Sequence, residues 1–401
     1  MLLIALRIAC AHAAAATAPS LALAARDILG ADQGVYVETS DGTVLLAQHA
    51  EHPVHPASVS KVPTTLALLR ALGPDYRFQT TFVAEGQLVG QQLQGNLTVQ
   101  SDADPALVDE DALLVAERFN LLGIRAIAGG LRVQGALTFD WQNDPQGAHL
   151  ARALSGETPS AAWQAVLALH PHSAGPDAST TRPAPSLQFR SAEYGAAGVP
   201  PTRRVLILRS EPLLPMLKAL DDYSNNIVAP LAQVAGGAAA VQGVARSAVP
   251  AAMRAEIVLG DGAGMDPRNR LSPRVAVKLL RALESQLART GHTLPDVLPV
   301  SGVDTGTLHD RLNGPGEIGR VVGKTGTYAD YGASALIGAI RTSNEGTVYF
   351  AILNHGVAVP EARRRQDAFL RALLAHLRSL PWSHAATSEP AIARTQLELA
   401  P

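Results

Sequence analysis

The sequence predicts an α/β (α+β) fold that carries a smaller α/β insertion, and three observations predict it. A chain of 401 residues implies either two domains or one domain with a large insertion. Strand-like apolar patterns occur near both ends, at 34–47 and 319–353, with helical spacing before the second. The character of the chain changes at about Tyr76, where short strands and a single helix begin.

Gly34 to Ala47 reads as a hairpin, with Val35 and Val37 alternating on one arm, Val44-Leu45-Leu46 on the other, and Asp41-Gly42 at the turn. Val59 to Leu72 has the apolar spacing of a buried helix, ended by Gly73-Pro74. Phe78 to Val83, Leu93 to Val99 and Leu131 to Leu137 are expected strands, and Ala112 to Leu122 a helix. Asn143 to Pro185 is rich in Ala, Pro, Ser and His and is expected to be loop, apart from a helical patch at Ala161 to Leu169. Val205 to Leu208 returns as a strand. Pro212 to Leu220, Ile227 to Ala235 and Arg274 to Leu287 read as helices. Gly319 to Thr327, Ala335 to Arg341 and Thr347 to Leu353 are strands, the last two joined at Asn344-Glu345-Gly346. Glu361 to Leu380 is a final helix stopped by Pro381, and Ser383 to Pro401 reads as a disordered tail.

Composition removes several function classes. An apolar content of 47% supports a sizeable core, and a formal charge of −2 gives no electrostatic case for nucleic acid. One cysteine, Cys10, excludes an internal disulfide and a cysteine metal site. The twelve histidines contain no H-E-x-x-H pair. His49, His52 and His55 recur at every third position, but Pro53 and Pro56 prevent a regular helix there. Met1 to Ala25 is apolar with only Arg7 and His12 interrupting. It contains two A-x-A-like sites, Ala22-Leu23-Ala24 and Ala11-His12-Ala13. A signal peptide over 1–24 is expected, although the basic segment that usually precedes the apolar stretch is missing. No later stretch has the length of a transmembrane segment.

The four lysines are Lys61, Lys218, Lys278 and Lys324, and two of them sit in short motifs that come in a telling order. Ser58-Val59-Ser60-Lys61 is followed by Ser224-Asn225-Asn226 and then by Lys324-Thr325-Gly326-Thr327. This is the S-x-x-K, S-x-N, K-T-G series of serine acyl-enzymes. On a helix, Ser58 and Lys61 share a face within hydrogen-bond reach. A serine hydroxyl needs a base, and a lysine serves only when burial or a second positive charge lowers its pKa. Lys324 is placed to supply that charge. Ser224 can relay a proton to the leaving group, and the Asn226 amide can hold a substrate carbonyl. Lys324 and Thr325 are expected to bind a substrate carboxylate. Gly326 is expected to leave room for substrate backbone against the strand, and the N–H groups of Ser58 and Thr327 to form an oxyanion hole. Taken alone, each motif is more often a cap, a turn or a surface lysine. The ordered conjunction outweighs those readings.

The wider sequence resembles the D-alanyl-D-alanine carboxypeptidase/endopeptidase family, the class C low-molecular-mass penicillin-binding proteins. The resemblance includes His55-Pro56-Ala57-Ser58-Val59-Ser60-Lys61, Leu72-Gly73-Pro74-Asp75-Tyr76-Arg77-Phe78 and Tyr223-Ser224-Asn225-Asn226. It continues through Asp261-Gly262-Ala263-Gly264-Met265, Asn269-Arg270-Leu271-Ser272-Pro273 and Gly302-Val303-Asp304. It implies a penicillin-binding transpeptidase/β-lactamase-like domain, an antiparallel sheet flanked by helices, formed by 25–79 and 205–382 around an insertion at 80–204. It further implies acyl transfer at Ser58 on peptidoglycan stem peptides, covalent inhibition by β-lactams, no metal or organic cofactor, and a periplasmic or secreted location. About 160 residues separate Ser58 from Ser224, enough for one inserted domain where family members usually nest two. A β-lactamase or esterase of the same superfamily shares the motifs. A non-catalytic wall-binding protein is the other alternative, against which the intact Ser58 and Lys61 argue.

Overall fold

The computed structural model describes residues 21–102, 104–169, 183–190, 202–386 and 390–400. It divides into two units, one formed by Met1–Pro74 with Leu217–Thr387 and the other by Asp75–Met216 with Ser388–Pro401.

The first unit is built on an antiparallel sheet that both ends of the chain supply. Among the described residues its order is Val321–Tyr328, Ala333–Thr342, Thr347–Asn354, Gly34–Thr39, Val44–Gln48, with Ser379–Leu380 paired beside Thr342. The expected hairpin forms, with a bulge between Val37 and Glu38. One sheet face carries Val35, Val37, Leu336, Ile340, Phe350 and Ile352, which cluster with Leu29, Phe369, Leu370 and Leu373 from the first and last helices. The last of these runs Val359–His376. On the other face lies Pro273–Ala288, opened by Ser272, whose hydroxyl caps the Val275 N–H. Lys61–Ala71 packs against that helix and against Val228–Val234 and Gly237–Ser247.

The second unit has its own sheet, in the order Gln396–Leu399, Thr202–Arg209, Gln79–Val89, Gln92–Asp102, Ala126–Ile127, Gln188–Phe189, with Leu131–Ala136 also paired to Gln92–Asp102. Asp109–Leu121 buries Ala112, Val115, Ala116 and Phe119 against Phe82, Leu97 and Val99 of this sheet. The expected strands and helices are present, most with longer bounds and Leu131–Ala136 one residue shorter, and this unit runs from Asp75 to Met216 where an insertion at 80–204 is expected. Ala148–Leu154 is a helix inside the stretch read as loop. Its Leu150 and Leu154 join the same core, but a seven-residue helix is too short to show as periodicity.

One expectation at the chain ends needs correction. The tail is ordered over 390–400: Ile392 packs with Leu113, Leu114, Trp163 and Val166, Arg394 pairs with Glu211, and Gln396–Leu399 lies antiparallel to Thr202–Arg209. Its four-residue strand is too brief for alternation to be read against a polar, proline-flanked background. At the other end, Ala22-Leu23-Ala24 lies inside a helix over 21–29 whose Leu21, Ala25 and Leu29 are buried. Cleavage after Ala24 would sever that helix. Residues 1–20, with Cys10 and the Ala11-His12-Ala13 site, lie outside the described residues.

Candidate active site

All eight residues singled out from the three motifs lie in the first unit. Ser58 is in a 3₁₀ turn, Ala57–Ser60, and Lys61 is the first residue of the α-helix. In a 3₁₀ turn residues i and i+3 eclipse one another, so the two side chains stack and meet directly. The Lys61 ammonium donates to Ser58 Oγ at 2.7 Å. This geometry also explains Pro63. It is the third residue of the α-helix, where the backbone N–H has no intrahelical acceptor to lose.

The Ser58 turn is held from two sides. Ala57 has φ of 47°, a left-handed conformation that costs a non-glycine residue about 1–2 kcal/mol. His55 Nδ1 accepts the Ala57 N–H at 3.1 Å, while its Nε2 lies 3.0 Å from the Asp266 carbonyl. Gly264 sits on the same peptide: at its φ of 89°, a Cβ would come within 2.0 Å of Ala57 O. The Gly264 loop is fixed by Asp261, which accepts the N–H groups of Gly264 and Met265 and the Asn269 amide. The structure gives Gly326 a second reason besides the one the sequence suggests. Its Cβ would meet Pro56 O at 2.6 Å, so glycine there lets the strand close on the Ser58 turn.

Ser224 follows the Leu213–Asp222 helix with φ of 56°. Its loop is braced by Asn225, whose carboxamide oxygen accepts the Ile227 N–H at 3.0 Å. Thr307 donates to Asp222 O at 2.8 Å from the Gly302–Leu308 stretch. Asn226 Oδ1 accepts from Lys61 at 3.1 Å, and the Ala263 carbonyl accepts from the same ammonium at 2.9 Å. Lys324 donates to Ser224 Oγ at 2.9 Å and to Thr325 O at 3.0 Å. The two serines are thus each bonded to their own lysine.

Both ammonium groups are fully buried. Burial, then the Lys324 charge, lowers the Lys61 pKa to about 7. Burial lowers Lys324 to about 8, with the Asp221 and Asp222 carboxylates acting in the opposite sense. Asp221 is itself buried, accepts from Thr65 Oγ1 at 3.1 Å, and opposes both lysines. Burial of two neighbouring ammoniums outweighs these carboxylates, and Lys61, with the lower pKa, gives up its proton first. The chain pattern does not mark Asp221; its proximity to both lysines exists only in three dimensions.

The Val321–Tyr328 strand is an edge of its sheet. Gly323 N–H donates outward to Pro299 O at 3.0 Å. The register with Ala333–Thr342 is unbroken, so by alternation Thr325 and Thr327 turn their N–H groups to that same outer edge. Thr327 is exposed, and Lys324 faces inward toward Ser224. Among the described residues no group of His, Cys, Asp or Glu could hold a metal ion, and no single helix is long and apolar enough to cross a membrane.

The model of the D-Ala-D-Ala carboxypeptidase 3 (S13) family matches residues 18–148 and 194–376. Carboxypeptidase DacB of Mycolicibacterium smegmatis is 28% identical over 400 residues, covering 89% of this chain and 83% of that protein. The fold is similar to a penicillin G-acylated predatory endopeptidase of Bdellovibrio bacteriovorus, with a TM-score of 0.73 at 20% identity, covering 92% of this chain and 99% of the other. It is also similar to penicillin binding protein 4 of Haemophilus influenzae in complex with a β-lactam, with a TM-score of 0.59 at 17% identity, covering 91% and 100%.

Proposed function

The chain belongs to the D-Ala-D-Ala carboxypeptidase 3 (S13) family and is a serine-type D-Ala-D-Ala carboxypeptidase; from this premise we propose how its residues divide the reaction. Ser58 Oγ attacks the penultimate D-alanyl carbonyl of a peptidoglycan stem peptide while neutral Lys61 takes its proton. The Ser58 and Thr327 N–H groups receive the oxyanion. The C–N bond breaks, and Ser224, backed by Lys324, passes a proton to the departing D-alanine amine. Water then hydrolyses the seryl ester. Asn226 orients Lys61 through its oxygen and offers its N–H₂ to a substrate carbonyl. Thr325 and Thr327 recognise the free carboxylate, with the Lys324 charge behind them.

The observation that carries this reading is the 2.7 Å contact between Ser58 Oγ and an enclosed lysine whose pKa is lowered to about 7. The same site serves a D-alanyl cross-link, so endopeptidase cleavage is part of the proposal. A β-lactam, whose ring carbonyl and carboxylate mimic these features, should acylate Ser58. Because the substrate lies outside the cytoplasmic membrane, we place the mature protein in the periplasm or outside the cell. Its processing site would precede Leu21, leaving the helix over 21–29 whole.

Incubation with labelled penicillin and peptide mapping tests the assignment. The label should appear on the Ser58 peptide alone, and the protein should release D-alanine from an acylated D-Ala-D-Ala peptide. An adduct elsewhere, or none on folded protein, sinks it. Rapid loss of the adduct as hydrolysed penicillin would point to a β-lactamase.

A further inference from the structure

Arg363 reaches the outer end of the K-T-G-T strand from the Val359–His376 helix, and its Nη2 donates to Thr327 Oγ1 at 2.8 Å. Its neighbours in the same basic run are otherwise engaged. Arg364 and Arg365 both pair with Glu361, and nearby Arg311 pairs with Asp367. Arg363 has no carboxylate partner among the described residues and is itself exposed. Burial of part of its side chain, then the Arg311 charge, lowers its pKa, with the Asp367 carboxylate, which pairs with Arg311, acting in the opposite sense. Lys324, by contrast, has no exposed surface and directs two of its three hydrogens to Ser224 Oγ and Thr325 O. A threonine hydroxyl that accepts from a guanidinium has its own proton left to donate.

We propose that Arg363 is a specificity-determining residue that recognises the carboxylate next to the scissile nitrogen, together with the Thr327 hydroxyl it orients. This rests on the function proposed above. A substrate anion on the outer edge of the strand meets Arg363 as its accessible cation, with the forked guanidinium suited to a carboxylate. Lys324 acts from behind, through Ser224 and Lys61.

The test compares kcat/KM on an acylated D-Ala-D-Ala peptide with a free C-terminus and on the same peptide ending in a primary amide. Wild-type protein should prefer the free acid. In Arg363→Ala that preference should fall about tenfold or more, through a higher KM for the acid and little change for the amide. Arg363→Lys should recover part of it, and Arg364→Ala should retain it in full. An unchanged preference in Arg363→Ala, or equal losses on both peptides, overturns the inference while leaving the catalytic assignment standing. A wild-type protein that labels at Ser58 but does not discriminate acid from amide also overturns it. Failure of the wild-type protein to hydrolyse either peptide or to label at Ser58 removes the underlying reading instead.

Discussion

Lys324 Nζ and Ser224 Oγ are 2.9 Å apart, and this contact turns the second lysine of the site away from solvent. In the function proposed above, the K-T-G lysine reaches the chemistry through Ser224 and through its charge on Lys61, besides the grip on substrate that the sequence suggests. Replacing it tests that relationship. Its charge lowers the Lys61 pKa, so its removal raises that pKa toward the ordinary lysine value of 10.5. The low-pH limb of the acylation rate should move to higher pH in Lys324→Met, and rates at pH 7 should fall tenfold or more. A limb that stays in place would assign Lys324 to carboxylate binding alone.

The wild-type limb itself is predictable. Lys61 is active when neutral, and its pKa is lowered to about 7. Acylation of Ser58 by a β-lactam should be near its plateau at pH 8 and fall about tenfold per unit well below pH 7. Stopped-flow acylation rates across pH 5 to 9 check this, and a flat profile would exclude Lys61 as the base.

Lys61 is also a large, fully buried side chain, so truncation to alanine leaves a cavity. Lys61→Met keeps most of the volume without the amine. Acylation should drop about 10²–10⁴-fold while the thermal transition is retained. Near-normal labelling in a folded Lys61→Met protein would show that another group activates Ser58.

A methyl group at Gly264 would meet the Ala57 carbonyl at 2.0 Å in a left-handed conformation. The Ala57–Ser58 peptide must then move, and a displacement near 1 Å at a nucleophile costs on the order of 10² in rate. Gly264→Ala should lose at least that much labelling at Ser58. Wild-type labelling by Gly264→Ala would show that the turn is not held from this side.

Asp104 in the second unit is buried, and burial raises its pKa from 3.8 to about 7. The folded pKa lies above the unfolded one, so its contribution is full below pH 3.8 and is lost as pH rises to 7. At pH 8 the cost is on the order of 4 kcal/mol. Asp104→Asn should therefore melt several degrees above wild type at pH 8 and show little difference at pH 4. Equal melting temperatures at pH 8 would mean the carboxylate is accommodated.

The nucleophile, its base and both partner motifs are legible in the chain because short spacings and fixed residue types carry them. Ser58 and Lys61 are three residues apart, and Thr325 and Thr327 alternate on a strand. The positions that hold those groups are not legible. Asp221 lies near the end of the helix that precedes Ser224 but announces itself only by being buried close to two lysines. Arg363 is one of three consecutive arginines, and nothing in Arg363-Arg364-Arg365 says which one turns to the sheet. Gly264 and Gly326 read as turn and strand glycines until the peptide each one covers is known. The insertion is visible as a change of pattern, yet its last strand is contributed by residues 396–399, far beyond any local signal.

That last strand sets an order of assembly. The ribosome makes Asp75–Met216 long before it makes Gln396–Leu399, so the Thr202–Arg209 edge emerges without its neighbour and waits through the synthesis of the catalytic half. Until then it is an open strand edge, the kind that pairs with other chains. Removal of the final dozen residues should therefore be felt first as aggregation of newly made protein, with the defect originating in a unit that contains neither serine nor lysine of the reaction.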